Sequence, residues 1–184
     1  MKLFNDTRRP WGPLDSSGCV IYIGTFTKML FNALRLGFMV LPERLVEAFV
    51  SARSFVDRHP PTLDQAILAE FVTEGHFGHH LRRMRQSYAE RIDVLKTAAD
   101  KHLNGVLDIV RAGAGIRTLG WLKTWKSDRD AAQQAQRLGL EVIPLSTFTT
   151  RYEQPPALML GFAGCNPAEL RRGVSVLATA LRSR

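Results

Sequence analysis

Apolar residues form two short continuous runs near the start of this chain. The first run, Cys19-Val20-Ile21-Tyr22-Ile23, ends at Gly24 and is typical of a strand buried on both faces. The second run lies at Leu36–Leu41 and ends at Pro42. We therefore expect strands at Val20–Ile23 and Leu36–Leu41, joined by a turn that carries polar residues.

Apolar positions at helical spacing predict two helices after these strands. Pro42 is expected at the first position of a helix that ends near Asp57. Thr62, with Gln65 three residues on, has the pattern of a capping box and is expected to start the helix Leu63–Thr73. The first helix has apolar positions Leu45, Val46, Phe49 and Val50 at helical spacing, and the second carries Ile67, Leu68, Phe71 and Val72.

A third, much longer helix is predicted from about Phe77 to about Leu103. At 1.5 Å per residue, a helix of roughly 27 residues is about 40 Å long. Its apolar stripe consists of Leu81, Met84, Tyr88, Ile92, Leu95 and Ala99. Asn104-Gly105 follows the helix, and we place a domain boundary there.

Residues 105–184 alternate between strands and helices, which predicts a small α+β domain. Ser127, with Asp130 three residues on, is expected to cap one helix, and Asn166-Pro167-Ala168-Glu169 is expected to start the last helix. The expected strands are Val106–Val110, Ile116–Lys123, Leu140–Pro144 and Leu158–Phe162.

A net charge of +8 and a pI of about 10.1 raise the possibility of nucleic-acid binding. The arginines are spread along predicted helices, and no zinc-finger spacing, RNP motif or helix-turn-helix pattern accompanies them. We therefore expect a solvated basic face, or a basic face that contacts a missing acidic part of the chain, rather than direct DNA binding. The densest groups are Arg82, Arg83, Arg85 and Arg91, and Arg171, Arg172, Arg182 and Arg184.

Neither cysteines nor histidines form a recognisable metal motif. Cys19 and Cys165 lie far apart in apolar surroundings, so we expect both to pack as small buried residues in a reducing cytoplasm. His76, His79 and His80 have no evident further ligand and are interpreted as a solvated helix start. No apolar run approaches the length of a membrane span, and the expected location is cytoplasmic.

Lys28 follows the first strand and carries the main candidate chemistry. A desolvated lysine, or one near another cation, becomes a nucleophile that can form an imine with an aldehyde. Thr25 and Thr27 offer hydroxyl and backbone N–H groups, and the guanidinium of Arg35 suits a phosphate. These groups together describe a pyridoxal phosphate (PLP) site. The alternative is an ordinary strand end whose lysine and arginine reach solvent or pair with acids.

Several stretches resemble one known family. Thr25-Phe26-Thr27-Lys28 followed by Ala33-Leu34-Arg35-Leu36-Gly37 is similar to the segment of fold-type I aminotransferases that bears the PLP-binding lysine. The longer stretch IYIGTFTKMLFNALRLGFMVLP resembles the aminotransferase-like domain of MocR-type transcription regulators, a branch of the GntR group. Later stretches agree: Asp57-Arg58-His59-Pro60-Pro61-Thr62, Glu74-Gly75-His76-Phe77, Leu81-Arg82-Arg83-Met84-Arg85 and Leu160-Gly161-Phe162-Ala163.

The resemblance implies an α/β fold, namely the C-terminal portion of a fold-type I PLP-dependent aminotransferase. Residues 1–104 would be a partial large domain with the connecting helix, and residues 105–184 the small domain. Lys28 would form the imine, with Thr25, Thr27 and Arg35 as further cofactor ligands and no metal. The family implies a homodimer that responds to PLP or an amino compound and contacts DNA through a domain absent from this chain.

Two departures leave the enzyme question open. The family's aspartate partner of the pyridine nitrogen and a nearby tyrosine would lie upstream of Met1, and neither Asp6 nor Asp15 is assigned that role. Aminotransferases also place an arginine for the substrate carboxylate where this chain reads Ala157-Leu158-Met159-Leu160, while Arg151 lies in a loop upstream.

Three hypotheses follow from these features. The first is the C-terminal part of a PLP-binding effector domain of a MocR-type regulator. The second is a PLP-dependent aminotransferase, truncated or made of two chains, in which Lys28 moves the proton during transamination. The third is an inactive remnant or an interaction module, whose unpaired strand edges favour pairing with another chain.

Overall fold

The computed structural model describes residues 17–110, 115–152 and 154–182. The described residues divide into two compact units, one up to Leu81 and one from Arg82 onwards. This division falls within the long helix. The domain boundary expected near residue 104 refers to the domains of the resembled fold and stays a prediction.

The first unit begins with an antiparallel pair of strands. Strand β1 (Tyr22–Thr25) pairs with strand β2 (Gly37–Val40), and Thr25 lies opposite Gly37. A short 3₁₀ turn at Asn32–Leu34 lies in the connection between them. Both predicted strands are therefore present, although β1 begins and ends two residues later than predicted because its register follows the pairing with β2 rather than the apolar run.

Two helices follow, and their starts differ from the predictions. Helix α1 (Glu43–Asp57) has Pro42 at the N-cap rather than at the first helical position, so the helix begins one residue later than predicted. Helix α2 (Thr62–Thr73) has Pro61 at the N-cap and no side-chain capping bond, so the predicted Thr62 capping box is wrong. Thr62 is already helical, and the Gln65 N–H donates to the Pro61 carbonyl (3.2 Å), which is an ordinary i→i−4 helix bond.

The expectation that the first strand is buried on both faces is wrong. Among the residues described up to Leu81, Leu36 alone is buried, with 7% of its surface exposed. Ile23 of β1 is 71% exposed and Phe55 of α1 is 90% exposed. For β1, the physical reason is that β2 is the single strand paired with it in the described part of the chain, so no second sheet neighbour removes Ile23 from water.

The second unit has a four-stranded antiparallel sheet with the order β3-β4-β6-β5. Most of the long helix also belongs to it, and that helix has the predicted length of 27 residues. The elements are α3 (His76–His102), β3 (Leu107–Ile109), β4 (Arg117–Leu122), α4 (Asp128–Arg137), β5 (Ile143–Pro144), β6 (Ala157–Gly161) and α5 (Pro167–Arg182).

One hydrophobic core holds the second unit together. Side chains from α3, α4, α5 and the sheet contribute to it, and Leu103 and Leu158 are fully buried. The alternation along β4 places Thr118 and Leu122 on the buried face. The predicted strand Leu140–Pro144 is shortened to Ile143–Pro144.

Both predicted helix caps of this unit are present. The Ser127 hydroxyl accepts a hydrogen bond from the Asp130 N–H (3.2 Å) at the start of α4. At the start of α5, the Asn166 side-chain carbonyl oxygen accepts from the Glu169 N–H (3.0 Å), while the Glu169 carboxylate accepts from the Asn166 N–H (2.7 Å). This reciprocal pair is a complete capping box.

The two cysteines differ from expectation. Cys19 is exposed and Cys165 is half-buried against the core of the second unit. Cys19 precedes β1, whose surroundings are open for the reason given above. Within the described residues, no helix is both long enough and apolar enough to cross a membrane.

Candidate cofactor site in the connection between β1 and β2

The pairing of β1 with β2 brings the two ends of their connection together. Thr25, the last residue of β1, is the antiparallel partner of Gly37, the first residue of β2. The next residue continues this contact, since the Phe26 N–H donates to the Leu36 carbonyl (3.1 Å). Lys28 and Arg35 therefore both belong to a closed loop, residues 26–36, rather than to separate parts of the unit.

Lys28 lies in a tight turn directly after β1. The N–H groups of Met29 and Leu30 both donate to the Phe26 carbonyl, at 3.1 and 2.9 Å. The Thr27 N–H donates to the Thr25 hydroxyl oxygen (3.2 Å), which fixes the start of the turn. This pattern presents Lys28 at the tip of the turn.

The Lys28 side chain is exposed, so the desolvation invoked from the sequence is not provided by the described residues. A second cation, Arg35, lies on the same loop. The sequence from Thr25 to Gly37 contains no acidic residue, so the loop carries two positive charges and no negative side chain. Such a loop attracts a phosphate group electrostatically.

Arg35 has a left-handed backbone, with φ 49° and ψ 29°, and is the single non-glycine residue in the left-handed region among the described residues. A positive φ costs free energy in a residue with a Cβ atom. The conformation ends the 3₁₀ turn and leads into Leu36, which is buried. The Arg35 guanidinium stays exposed, and its backbone is fixed between the turn and β2.

The sequence-based interpretation missed two residues of α3 that contact the lysine turn. The Phe77 ring packs edge-on against the Phe26 ring, with centroids 5.9 Å apart, and the His80 Nε2 lies 2.8 Å from the Met29 carbonyl oxygen. His80 is partly buried and bonded, whereas His76 and His79 are exposed, as the interpretation of a solvated helix start expects. The three-residue spacing of Phe77 and His80 indicates a shared helix face, yet it does not identify the partner of that face.

The second unit contains the positions that bear on the missing arginine for the substrate carboxylate. Arg151 is exposed in the segment before β6. Met159 lies on β6, and the Arg117 guanidinium of the neighbouring strand β4 approaches its sulfur at 3.6 Å. Asp6 and Asp15 lie outside the described residues.

The histidines near the start of α3 are the residues considered as metal ligands in the sequence. Within the described residues, no group of three or more potential metal ligands is found. His76 instead lies 3.1 Å from the Glu74 carboxylate.

This lysine turn and its strands, followed by a long helix and a small α/β unit, define part of a fold-type I aminotransferase-like domain. The sequence matches the family model described as aminotransferase class I and II over residues 3–177, and the chain belongs to that family.

Similar curated proteins include transcription regulators. The chain is 40% identical over 169 residues to the probable rhizopine catabolism regulatory protein MocR of Rhizobium meliloti, covering 91% of this chain and 34% of that protein. It is 32% identical over 173 residues to the HTH-type transcriptional regulator TauR of Rhodobacter capsulatus, covering 92% and 35%. The chain thus spans about a third of the length of these regulators.

Solved aminotransferase structures share the fold. The α-aminoadipate aminotransferase LysN of Thermus thermophilus, solved with N-(5'-phosphopyridoxyl)-L-leucine, superposes with a TM-score of 0.78 at 27% identity, covering 89% of this chain and 42% of LysN. The kynurenine aminotransferase of Pyrococcus horikoshii superposes with a TM-score of 0.82 at 22% identity, covering 92% and 42%, which shows the fold alone.

Proposed function

We propose that this chain is the C-terminal part of the PLP-binding effector domain of a MocR-type transcription regulator. The similarity to MocR and TauR over more than nine tenths of the chain supports this proposal. The observation that carries it is the closed loop 26–36, which holds one exposed amine and one exposed guanidinium with no acid between them.

Lys28 is the residue that would hold the cofactor covalently. Bound pyridoxal phosphate supplies an aldehyde and a phosphate on one small ring. The Lys28 Nζ amine would hold the cofactor through that aldehyde carbon, with a C=N bond in place of the C=O bond and with water taking up the carbonyl oxygen and both amine hydrogens. This step needs no oxidant or reductant. The turn at Lys28 favours it because the amine is accessible to a molecule in solution.

The other two groups suit the phosphate. Arg35 supplies a planar set of donors for phosphate oxygens. The Thr25 hydroxyl lies 3.4 Å from the Leu36 carbonyl, which is a long and weak hydrogen bond, so its hydrogen is available to a stronger acceptor. Thr27 adds a second hydroxyl on the same loop. A phosphate held here would be fixed by the same loop that carries Lys28.

The regulatory role concerns the whole protein. We infer that binding of PLP or an amino compound changes this domain in a homodimer and alters DNA binding by a domain outside this chain. A cytoplasmic location follows from that role. The regulators named above support the role, while the exposed arginines of this chain do not by themselves supply a DNA-reading element.

The direct experiment mixes the full chain with pyridoxal phosphate and records the visible absorbance of the lysine adduct. Borohydride reduction and peptide mass mapping then locate the modified residue. We expect one adduct at Lys28, its loss in Lys28→Ala, and its retention in Lys126→Ala, which removes another exposed lysine. Adducts spread over several lysines, or a band that survives Lys28→Ala, would contradict the proposal.

Transaminase activity is the second candidate. It is favoured by 28% identity over 192 residues to the bovine mitochondrial kynurenine/α-aminoadipate aminotransferase. Against it, β6 carries Met159 rather than an arginine. Conversion of the bound cofactor to its amine form by an amino donor would support the enzyme, whereas a spectrum shifted without turnover would support the effector domain.

The third hypothesis, a remnant or interaction module, draws support from the exposed apolar residues of the first unit. Val56 is 88% exposed and Leu63 is 72% exposed. Apolar surface of this kind favours association with another chain. Absence of any Lys28 adduct, together with concentration-dependent association, would favour that hypothesis over the two cofactor-dependent ones.

A further inference from the structure

The first turns of helix α3 hold the turn that carries Lys28. Phe77 packs on Phe26 before the lysine, and His80 bonds the Met29 carbonyl after it. These two contacts bracket Thr27 and Lys28. All of these residues belong to the first unit, and the contacts join positions that are about fifty residues apart in the sequence.

The Met29 carbonyl is a specific place for such a contact. The turn uses the Phe26 carbonyl as acceptor for both of its own hydrogen bonds. The Met29 carbonyl, further along the same turn, is met by His80 at 2.8 Å. Because Met29 directly follows Lys28, a constraint on the Met29 carbonyl limits rotation of the backbone next to the lysine.

The chemistry of this bond fixes one ring nitrogen of His80. A carbonyl oxygen only accepts, so Nε2 must carry a hydrogen. The neutral Nε2–H tautomer and the imidazolium both satisfy this requirement.

The aromatic contacts restrict the other side of the turn. Phe26 also packs against Phe38 of β2, with centroids 5.5 Å apart, and Phe38 packs against Tyr22 of β1 at 5.7 Å. Phe77 adds α3 to this row of rings. The lysine turn is thus fixed to β2 and α3 at Phe26, and to α3 at Met29, where a hydrogen bond makes the contact.

We propose that His80 is a positioning residue, which holds the Lys28 turn through the Met29 carbonyl and sets the direction of the amine for condensation with an aldehyde. This inference rests on the proposed PLP-binding function. A reacting amine gains rate and affinity when its approach is fixed in advance. His80 acts through Met29 and does not itself need to touch the cofactor.

The test compares three variants of the full chain. His80→Leu fills the space of the ring with an apolar side chain and removes the N–H donor. His80→Gln keeps an N–H donor on a side chain of similar reach. His79→Leu alters the exposed neighbour and is the matched control. Protection of amides in the β1–β2 ladder from hydrogen exchange verifies that each variant is folded, and His80→Met replaces His80→Leu if the latter does not fold.

Two measurements are made on each variant. The first is hydrogen exchange at the Met29 and Leu30 amides, which close the turn. The second is the affinity and absorption maximum of the Lys28 adduct with pyridoxal phosphate. We expect His80→Leu to speed exchange in the turn and weaken the adduct by about 2- to 10-fold, as for one lost hydrogen bond, with a shifted maximum. His80→Gln and His79→Leu should resemble wild type.

The outcomes separate the inference from the function on which it rests. Faster exchange in His80→Leu with an unchanged adduct would show a merely structural contact and overturn the positioning role. Unchanged exchange would overturn the contact itself. If wild type forms no Lys28 adduct, the proposed function fails and the positioning role fails with it, while the exchange data still decide whether His80 holds the turn.

Discussion

Gly37 lies so close to Gly24 across the β1–β2 pair that a Cβ atom on Gly37 would come within 2.9 Å of the Gly24 carbonyl oxygen. Gly37 is also the strand partner of Thr25, so this close approach lies at the base of the lysine loop. A side chain at Gly37 would push the strands apart where the loop begins. The loop geometry therefore depends on a glycine that bears no functional group.

Gly37→Ala is expected to lower the free energy of unfolding by about 1–3 kcal/mol, since the new methyl group meets rigid backbone rather than a flexible side chain. Urea unfolding of the full chain measures the change, and hydrogen exchange at β1 amides locates it. Gly161→Ala is the control, because no heavy atom lies within 4 Å of the added Cβ. Equal stability of the two variants would show that the strands can separate without cost.

Replacing Arg35 by glycine is expected to have two opposite effects, because it relieves an unfavourable backbone conformation and also removes a positive charge. Its φ of 49° is unfavourable for arginine and easy for glycine. Arg35→Gly is therefore expected to raise the stability of the chain by about 0.5–1 kcal/mol, after the larger entropy of glycine in the unfolded chain is deducted. The same change should weaken binding of pyridoxal phosphate by about tenfold or more, as for a lost charged hydrogen bond.

Thermal unfolding measures the first effect, and titration with pyridoxal phosphate and with pyridoxal measures the second. Pyridoxal lacks the phosphate, so its affinity should change little in Arg35→Gly. Arg35→Lys keeps the charge and the strained backbone and should fall between wild type and Arg35→Gly in phosphate preference. An equal loss for both ligands would assign Arg35 a role other than phosphate binding.

Asp128 is a buried carboxylate that joins α4 to the segment before β6. It accepts hydrogen bonds from the Ser146 N–H (2.9 Å) and the Ser146 hydroxyl (2.7 Å), and it is 5% exposed. Asp128→Ala leaves both donors of Ser146 without this acceptor and is expected to cost about 2–3 kcal/mol.

Urea unfolding, monitored by circular dichroism, measures this loss in the free energy of unfolding. Asp128→Asn keeps one acceptor and should cost less. Asp130→Ala, in the same first turn of α4 but exposed, should change stability by no more than about 0.5 kcal/mol. A cost for Asp130→Ala as large as that for Asp128→Ala would indicate a helix-terminus effect rather than the Ser146 bonds.

The sequence predicted local structure well where one segment contains all of the interacting groups. The Asn166–Glu169 capping box needs no residue outside four consecutive positions, and it is present as predicted. The Thr62 capping box failed although its pattern is similar, because the preceding Pro61 took the N-cap position and left Thr62 inside the helix. Two neighbouring start positions differ little in free energy, so a local pattern does not fix the first residue.

By itself, the sequence determined the order of the helices and strands, the membership of the aminotransferase class I and II family, and the presence of Lys28 and Arg35 on one connection between two strands. These properties depend on periodicity and on neighbouring residues. Only the tertiary structure decided that His80 bonds the Met29 carbonyl, that Arg117 approaches Met159, and that Ile23 of strand β1 is exposed. Each of these depends on which distant segment packs against a residue, and a hydrophobic period of 2 or 3.6 specifies a face without naming what covers it.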